Sequence, residues 1–347
     1  MANANTKIEW TDATWSPVTG CTKVSQGCHF CYAERLWPKV EGSRVKREGG
    51  APRAFTDVRC HPERLDAPLH WRTPRRIFVN SMSDLFHDDV PDIFIADVFA
   101  YMAYARQHQF QVLTKRPQRM LRLLTSAKFA EHYDSATGIA HDDACDILGK
   151  RGEFDPNRRL TTDIRAMDPT PPLPNVWLGV SVEDQATADE RIPLLLQTPA
   201  AIRFVSYEPA LGPVSFKIEW LRCPGGAEYG HGFNRTEVHA GCCENHIKLD
   251  WLIAGGESGP NARPAHPDWF RSARDQCAAV GVAYFFKQWG EWISSLDVPS
   301  GDADTYSSKT RGSRSPSSVV ANELMVRVGK RAAGRLLDGR EHNEYPA

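Results

Sequence analysis

The sequence predicts an α/β fold: a full or partial (β/α) barrel of the TIM type, with parallel strands and two insertions. Three observations carry this. Short apolar runs alternate with helical patterns along the chain. The runs are continuously apolar, which suits parallel strands covered on both faces. Each run also ends in a polar or charged cluster, and in barrels that end of the strand is where functional side chains collect.

The elements follow in order. Residues 1–6 are polar and frayed in expectation. Ile8–Gly20 carries Trp10 and Trp15, and its short apolar stretch WSPVTG leads into a loop with Cys21, Cys28 and Cys31. Tyr32–Leu36 reads as a first helical turn that Pro38 disturbs, and 38–74 reads as loop, with a basic cluster at Arg44, Lys46 and Arg47 and an unpartnered Cys60. Strand and helix then alternate. Arg76–Asn80 is a strand followed by SMSD, and Pro91–Arg106 is a helix with proline at its start. Phe110–Leu113 is a strand followed by TKRP, with a helix from Arg119. Val176–Val180 is a strand followed by SVED, with a helix over 185–196. Ile202–Ser206 is a strand followed by YEP. Trp251–Ala254 is a strand followed by GGES, with a helix over 267–279. Ala283–Phe286 is a strand followed by KQWG.

The barrel is expected over 1–298, with insertions at 129–174 and 222–248. The first insertion, with its proline-rich exit, reads as a small subdomain or lid. The stretch 299–318, rich in Ser, Gly and Asp, reads as flexible. Residues 319–347 read as a C-terminal helix, over 323–337, and a tail.

Bulk composition narrows the class. A chain of 347 residues can bury a large core. Hydrophobic residues make up 41% and charged residues 24%, which places it among soluble globular proteins. The net charge of −1 gives no global basic field for nucleic acid, although a local groove is compatible with it. No apolar run is long enough for a membrane span and no signal-peptide pattern opens the chain, so no membrane partner is expected. Nine cysteines, an odd number at irregular spacing, do not read as a disulfide framework, and the cytoplasm is the expected compartment.

The loop Gly20–Leu36 carries the chemistry. Its three thiols have the spacing C-x6-C-x2-C, with Phe30 before the last. Three soft ligands on one loop suit an iron–sulfur cluster or a zinc ion. Structural zinc usually takes four ligands, and no second C-x2-C pair lies nearby. A [4Fe-4S] cluster on three thiolates leaves one iron open for a small molecule. The remaining reading is three unremarkable buried cysteines. The second insertion holds Cys223, His231, His239, Cys242, Cys243 and His246. Those residue types suit an accessory zinc, but the spacing matches no standard finger and ordinary insertion chemistry is the competing reading.

The Cys28–Cys31 ending on a loop after a first strand resembles the radical S-adenosylmethionine superfamily, where three residues commonly separate the first two cysteines; here there are six. The wider chain resembles an uncharacterised phage-protein family. That likeness runs through Lys7–Cys31, FVNSMSDLF at 78–86, QVLTKRP at 111–117, VWLGVSVED at 176–184, RFVSYEPALGPV at 203–214, DWLIAGGESGPNARP at 250–264 and FFKQWG at 285–290. The resemblance implies that Cys21, Cys28 and Cys31 hold a [4Fe-4S] cluster, and that S-adenosylmethionine chelates the open iron. It implies reductive cleavage to a 5′-deoxyadenosyl radical, with an electron-donor protein as partner. The cofactor does the hard chemistry and the protein positions it.

The strand-end residues then divide the binding work. Ser81, Ser83 and Asp84 suit the methionine amine or the ribose. Lys115 and Arg116 suit a carboxylate or phosphate, arginine through a bidentate fork. Ser181 and Glu183 suit ribose hydroxyls. Gly255 and Gly256 let a ligand approach the backbone. Gly255–Glu257 is similar to a superfamily motif for the amine, but it sits late in the chain and that role is not transferred. Glu208, Glu257 and Lys287 are the candidate catalytic side chains, with Gln288 and Trp289 as substrate contacts and Trp289 as a stacking face. The competing reading of each is a solvated strand end or a structural ion pair.

Two functions of different class follow. The first is a radical S-adenosylmethionine-like enzyme acting on a nucleic-acid base or nucleotide, with a loose similarity to spore photoproduct lyase. The second is a non-catalytic metal-binding module, with zinc or an iron–sulfur cluster, that works with a partner protein. A cluster-free hydrolase using Glu208 and Glu257 is a third and lacks a nucleophile motif.

Overall fold

The structure, a computed structural model, describes residues 2–3, 6–150, 171–222, 247–297 and 317–346. Its fold is α/β, of the partial TIM-like (β/α) barrel type, with seven parallel strands. The chain divides into two units. The first comprises Met1–Val24, Ala33–Val180 and Gln197–Ile202; the second comprises Ser25–Tyr32, Ser181–Leu196 and Arg203–Ala347. Among the described residues no helix is long and apolar enough to cross a membrane.

In the first unit β1 (Ala2–Asn3) pairs antiparallel with β2 (Ala13–Trp15). A small hairpin joins β3 (Val18–Thr19) to β4 (Arg59–Cys60), with α1 (Tyr32–Glu48) between them in sequence. Then come β5 (Arg76–Val79), α2 (Asp92–Tyr104), β6 (Gln109–Thr114), α3 (Pro117–Leu124), α4 (Ala127–Lys150) and β7 (Val176–Val182). Strands β2, β5, β6 and β7 run parallel, with Ala13 opposite Ile77, Ile77 opposite Phe110 and Phe110 opposite Val176. Trp15, Ile77 and Phe110 are fully buried, so the apolar runs read from the sequence are the core of this unit. Parallel pairing puts the polar ends of β5 and β6, Ser81–Asp84 and Lys115–Arg116, at one edge.

Two elements differ from the sequence reading. Pro38 does not end α1, which runs on to Glu48. Proline removes one backbone donor from the helix, and Pro38 lies on an exposed position while Ala33, Trp37 and Glu41 stay buried. The basic cluster Arg44, Lys46 and Arg47 therefore sits on a helix. Within the first insertion the described parts are the long helix α4 and the short exit 171–174, and 151–170 lie outside the described residues.

In the second unit the order is α5 (Gln185–Gln197), β8 (Ile202–Tyr207), α6 (Ile218–Leu221), β9 (Trp251–Gly255), α7 (Pro267–Val280), β10 (Ala283–Gln288) and β11 (Trp292–Ser294). After these come β12 (Ser317–Val320), β13 (Glu323–Arg327) and α8 (Lys330–Ala333). Strands β8, β9 and β10 are parallel, with Phe204 opposite Trp251 and Trp251 opposite Ala283.

The helix expected over 323–337 is instead a strand followed by a four-residue helix. Ala321 and Asn322 have φ of 45° and 72°, the two positive values that a tight hairpin needs. They turn β12 back on β13, and Met325 packs with Trp292 and Ala262. The insertion residues 223–246 lie outside the described residues, as does most of the expected flexible stretch, whose last two residues Ser317 and Ser318 open β12.

Candidate functional site

The first cysteine is set by the hairpin before it. Gly20 adopts φ of 89°, and a Cβ there would lie 2.6 Å from the Asp57 carbonyl oxygen, so only glycine fits. The Gly20 amide donates to the Met82 carbonyl and the Cys21 amide to the Phe55 carbonyl. His61 supports this hairpin: its amide donates to the Pro17 carbonyl and its Nε2 lies 2.8 Å from Thr19 Oγ1. Burial, with Arg64 nearby, pushes the His61 imidazole down to about 4, so it is neutral at pH 7.

Around Cys21 stands a network from the ends of β5 and β6. Arg116 Nη1 points at Cys21 Sγ at 3.7 Å and donates to Asp84 at 3.1 Å. Arg116 Nη2 donates to the Thr22 carbonyl at 3.1 Å and to its hydroxyl at 2.9 Å. That hydroxyl also meets His87 Nε2 at 2.7 Å. Burial and the Arg116 charge hold His87 below its ordinary value, so it sits neutral in the network. Burial also opposes the Arg116 charge, but Asp84 and Cys21 more than offset it and its value is raised.

Asp84 is the hub. It accepts from Thr114 Oγ1 at 2.7 Å, from the Lys115 amide at 3.0 Å and from the Phe86 amide at 3.0 Å, besides Arg116. Ser83 donates to the Val18 carbonyl at 2.9 Å, so its hydroxyl fixes β3. Ser81 and the Lys115 side chain lie at the same strand ends, half-buried.

The turn Ser25–Tyr32 belongs to the second unit and carries Cys28 and Cys31. Two carboxylate–arginine pairs hold it. Glu183, 1% exposed, pairs with Arg191 at 3.2 Å and accepts from Ser25 Oγ at 2.9 Å. Gly27 packs on that carboxylate so closely that a Cβ would lie 2.4 Å from Glu183 Oε1. Glu257 pairs with Arg263, whose Nη2 lies 2.6 Å from Oε1 and whose Nε lies 2.8 Å from Oε2. Arg263 also donates to the Gln26 carbonyl at 3.1 Å and covers the Phe30 ring at 5.3 Å. The Ser25 hydroxyl lies 3.9 Å from Cys28 Sγ.

A third pair stands at the ends of β8 and β10. Lys287 Nζ lies 2.8 and 2.9 Å from the two Glu208 oxygens, and Gln288 donates to Glu208 at 3.4 Å. Gly255 lies against Glu208, where a Cβ would come 3.4 Å from its carboxyl carbon.

The four sequence-derived carboxylates Asp84, Glu183, Glu208 and Glu257 are therefore all engaged by cations. At Gly256 the backbone that approaches closely is the protein's own: a Cβ would lie 1.9 Å from the Trp289 carbonyl oxygen. Trp289 is not a stacking face. Its ring is buried against Phe270 and Phe286 and its Nε1 donates to the Leu336 carbonyl. Ser181 is buried and its carbonyl accepts from Arg191.

The donor set of the cysteine loop fits a thiolate-ligated cluster in its chemistry. Cys21, Cys28 and Cys31 are free thiols of intermediate exposure. Burial pushes Cys60 up to about 11 and Cys277 to about 12, which makes those two poor thiolate donors at neutral pH. Among the described residues no group of three or more His, Cys, Asp or Glu side chains is arranged to hold a metal ion. The accessory zinc reading falls on 223–246, outside the described residues.

A family model described as a protein of unknown function (DUF5131) matches residues 5–346. The chain belongs to that family. No curated protein and no solved structure matches it.

The sequence reading missed Thr22, Ser25, Gly27, His87, Arg191 and Arg263. Arg191 left a signal: it interrupts the apolar stripe Ala188, Ile192 and Leu195 of α5, and a charge inside such a stripe needs a buried partner. Arg263 lies in a loop with no periodicity and left none.

Proposed function

We propose that this chain is an iron–sulfur enzyme of the radical S-adenosylmethionine type, with Cys21, Cys28 and Cys31 as cluster ligands and a nucleic-acid base or nucleotide as substrate. The observation that carries the proposal is the state of these thiols. All three are accessible, and one has a buried guanidinium aimed at its sulfur. A cation beside a thiol favours the thiolate, which is the form that ligates. When bound, a site-differentiated [4Fe-4S] cluster supplies the electron that cleaves S-adenosylmethionine.

The chain's own residues supply position and charge. Arg116, held by Asp84, offsets negative charge at Cys21. Glu183 with Arg191, and Glu257 with Arg263, fix the backbone of the turn that carries Cys28 and Cys31. Lys287 and Glu208 form an ion pair of 16% and 19% side-chain exposure. It is open enough to exchange its internal partner for a substrate carboxylate, phosphate or hydroxyl. Because the unfolded chain holds no formed site, metal binding to the folded chain adds to folding stability.

A second reading is favoured by the pairing of Glu183, Glu208 and Glu257. A metal-stabilised module that works with a partner protein needs carboxylates only as ion-pair members, as they stand here.

One experiment separates the two. The protein is purified without oxygen, reconstituted with iron and sulfide, reduced, and incubated with S-adenosylmethionine. The enzyme reading expects about four irons per chain and formation of 5′-deoxyadenosine, stimulated by a nucleic-acid substrate. Iron binding without cleavage favours the module, and zinc retention without iron uptake overturns the enzyme reading.

A further inference from the structure

Helix α1, which begins at the residue after the third cysteine, sorts its charges by face. At about 100° per residue, exposed Arg35, Leu36, Lys39, Ser43, Lys46 and Arg47 fall within an arc of about 120°. Glu34, Glu41 and Glu48 fall within about 40° on the opposite side of the helix. The acids are engaged there: Glu34 with Lys23 at 2.9 Å, buried Glu41 with Arg44 and Arg53, and Glu48 with Arg47 and Arg44. The side chains of Arg35, Lys39 and Lys46 make no hydrogen bond or ion pair among the described residues. They form a line of like charge on a chain whose net charge is only −1.

We infer that this face of α1 docks the sugar–phosphate backbone of a nucleic acid. Arg35, Lys39 and Lys46 lie within about 40° of one another and span about 17 Å along the helix axis. A linear row of cations complements a linear row of phosphates, and such contacts fix position without reading sequence. Ser43, on the same face, is small and exposed, and its hydroxyl donates to the Lys39 carbonyl at 2.9 Å. The apolar face of α1 is already used, with Ala33 and Trp37 buried. Leu36 and, at the helix start, Tyr32 are the large apolar side chains exposed on this face, too few for insertion into a lipid interface. The inference stands on the charge pattern of α1. It would give the nucleic-acid substrate proposed above its docking surface, and it rests on that reading only for its purpose.

The test measures fluorescence anisotropy of labelled 20-mer oligonucleotides, single- and double-stranded, on the full chain between 50 and 200 mM salt. The expected result is binding that weakens with salt. The triple variant Arg35→Gln, Lys39→Gln, Lys46→Gln is expected to bind at least tenfold more weakly at 50 mM. Its slope of log affinity against log salt is expected to be shallower by about 2 for single strands or about 3 for duplex. A control with three cations removed from α3 and α4 (Arg122→Gln, Lys128→Gln, Lys150→Gln) keeps both affinity and slope. Unchanged melting of both variants excludes misfolding. The inference is overturned if the wild-type chain binds neither oligonucleotide, if the α1 variant binds like wild type, if the control loses as much, or if polyglutamate competes as well as DNA. Binding through α1 without S-adenosylmethionine cleavage fails only the proposed chemistry. Cleavage without binding fails only the docking surface.

Discussion

Arg116 and the pair Arg191 and Arg263 all serve the cysteine loop, but they are presented to it differently. Arg116 reaches a sulfur directly, and its partner Asp84 is tied into β6 through Thr114 and the Lys115 amide. Arg191 and Arg263 are each matched by a carboxylate of their own unit, and what reaches the turn is a hydroxyl contact at Ser25 and a carbonyl contact at Gln26. The first arrangement sets the charge at a thiol. The second sets the path of a backbone. All three guanidiniums are paired with a carboxylate of their own unit, and of the three it is Arg116 that also keeps a donor on a sulfur.

The largest effect expected from this contrast is at Glu183. With Arg191 at 4% side-chain exposure, Glu183→Gln leaves a buried guanidinium uncompensated. The loss, read by urea denaturation, is about 3–5 kcal/mol. Adding Arg191→Met recovers most of it, because the charge leaves with its partner. Equal stability of the single and double variants breaks the contrast.

Gly27 and Gly42 give opposite signs for one substitution. Gly27→Ala forces a methyl against Glu183 and costs about 1–3 kcal/mol. Gly42→Ala, on α1 with nothing within 4 Å of its Cβ position, is stabilising by up to about 1 kcal/mol. Thermal melting of the two variants checks both signs.

The hairpin before Cys21 should respond to acid. His61 lies at about 4 when folded against 6.5 when unfolded, so the unfolded chain holds more protons between those values. Stability therefore falls as pH drops through that window, by on the order of 1–3 kcal/mol. His61→Phe flattens that part of the pH profile, and an unchanged profile removes His61 from the account.

The smallest effect is chemical. Arg116→Met is expected to slow alkylation of Cys21 by iodoacetamide several-fold, with Cys28 and Cys31 unaffected, as peptide mapping would show. Equal slowing at all three thiols contradicts a local role for Arg116.

The strands were legible because their apolar runs are continuous and each is closed by a polar cluster: Arg76–Val79, Val176–Val182 and Trp251–Gly255 all appear where the pattern puts them. The C-terminal hairpin was not, since Glu323–Arg327 fits either period until the positive φ at Ala321 and Asn322 is known. In the candidate site, sequence located the strand-end residues, both members of the Asp84–Arg116 and Glu208–Lys287 pairs among them, but not the partners of Glu183 and Glu257. Glu183 and Glu257 looked available because Arg191 and Arg263 come from elements whose side chains only tertiary packing brings to them. Trp289 looked like a platform because a strand end says nothing about which side of the sheet its last residues face.

The central claim is that Cys21, Cys28 and Cys31 hold a cluster with an iron open to S-adenosylmethionine. EPR of the anaerobically reconstituted, reduced protein, recorded with and without S-adenosylmethionine, tests it most directly. The account predicts a [4Fe-4S] signal that shifts on adding the cofactor and disappears in Cys28→Ala. A signal indifferent to the cofactor, or zinc bound tightly with no iron incorporated, would contradict it.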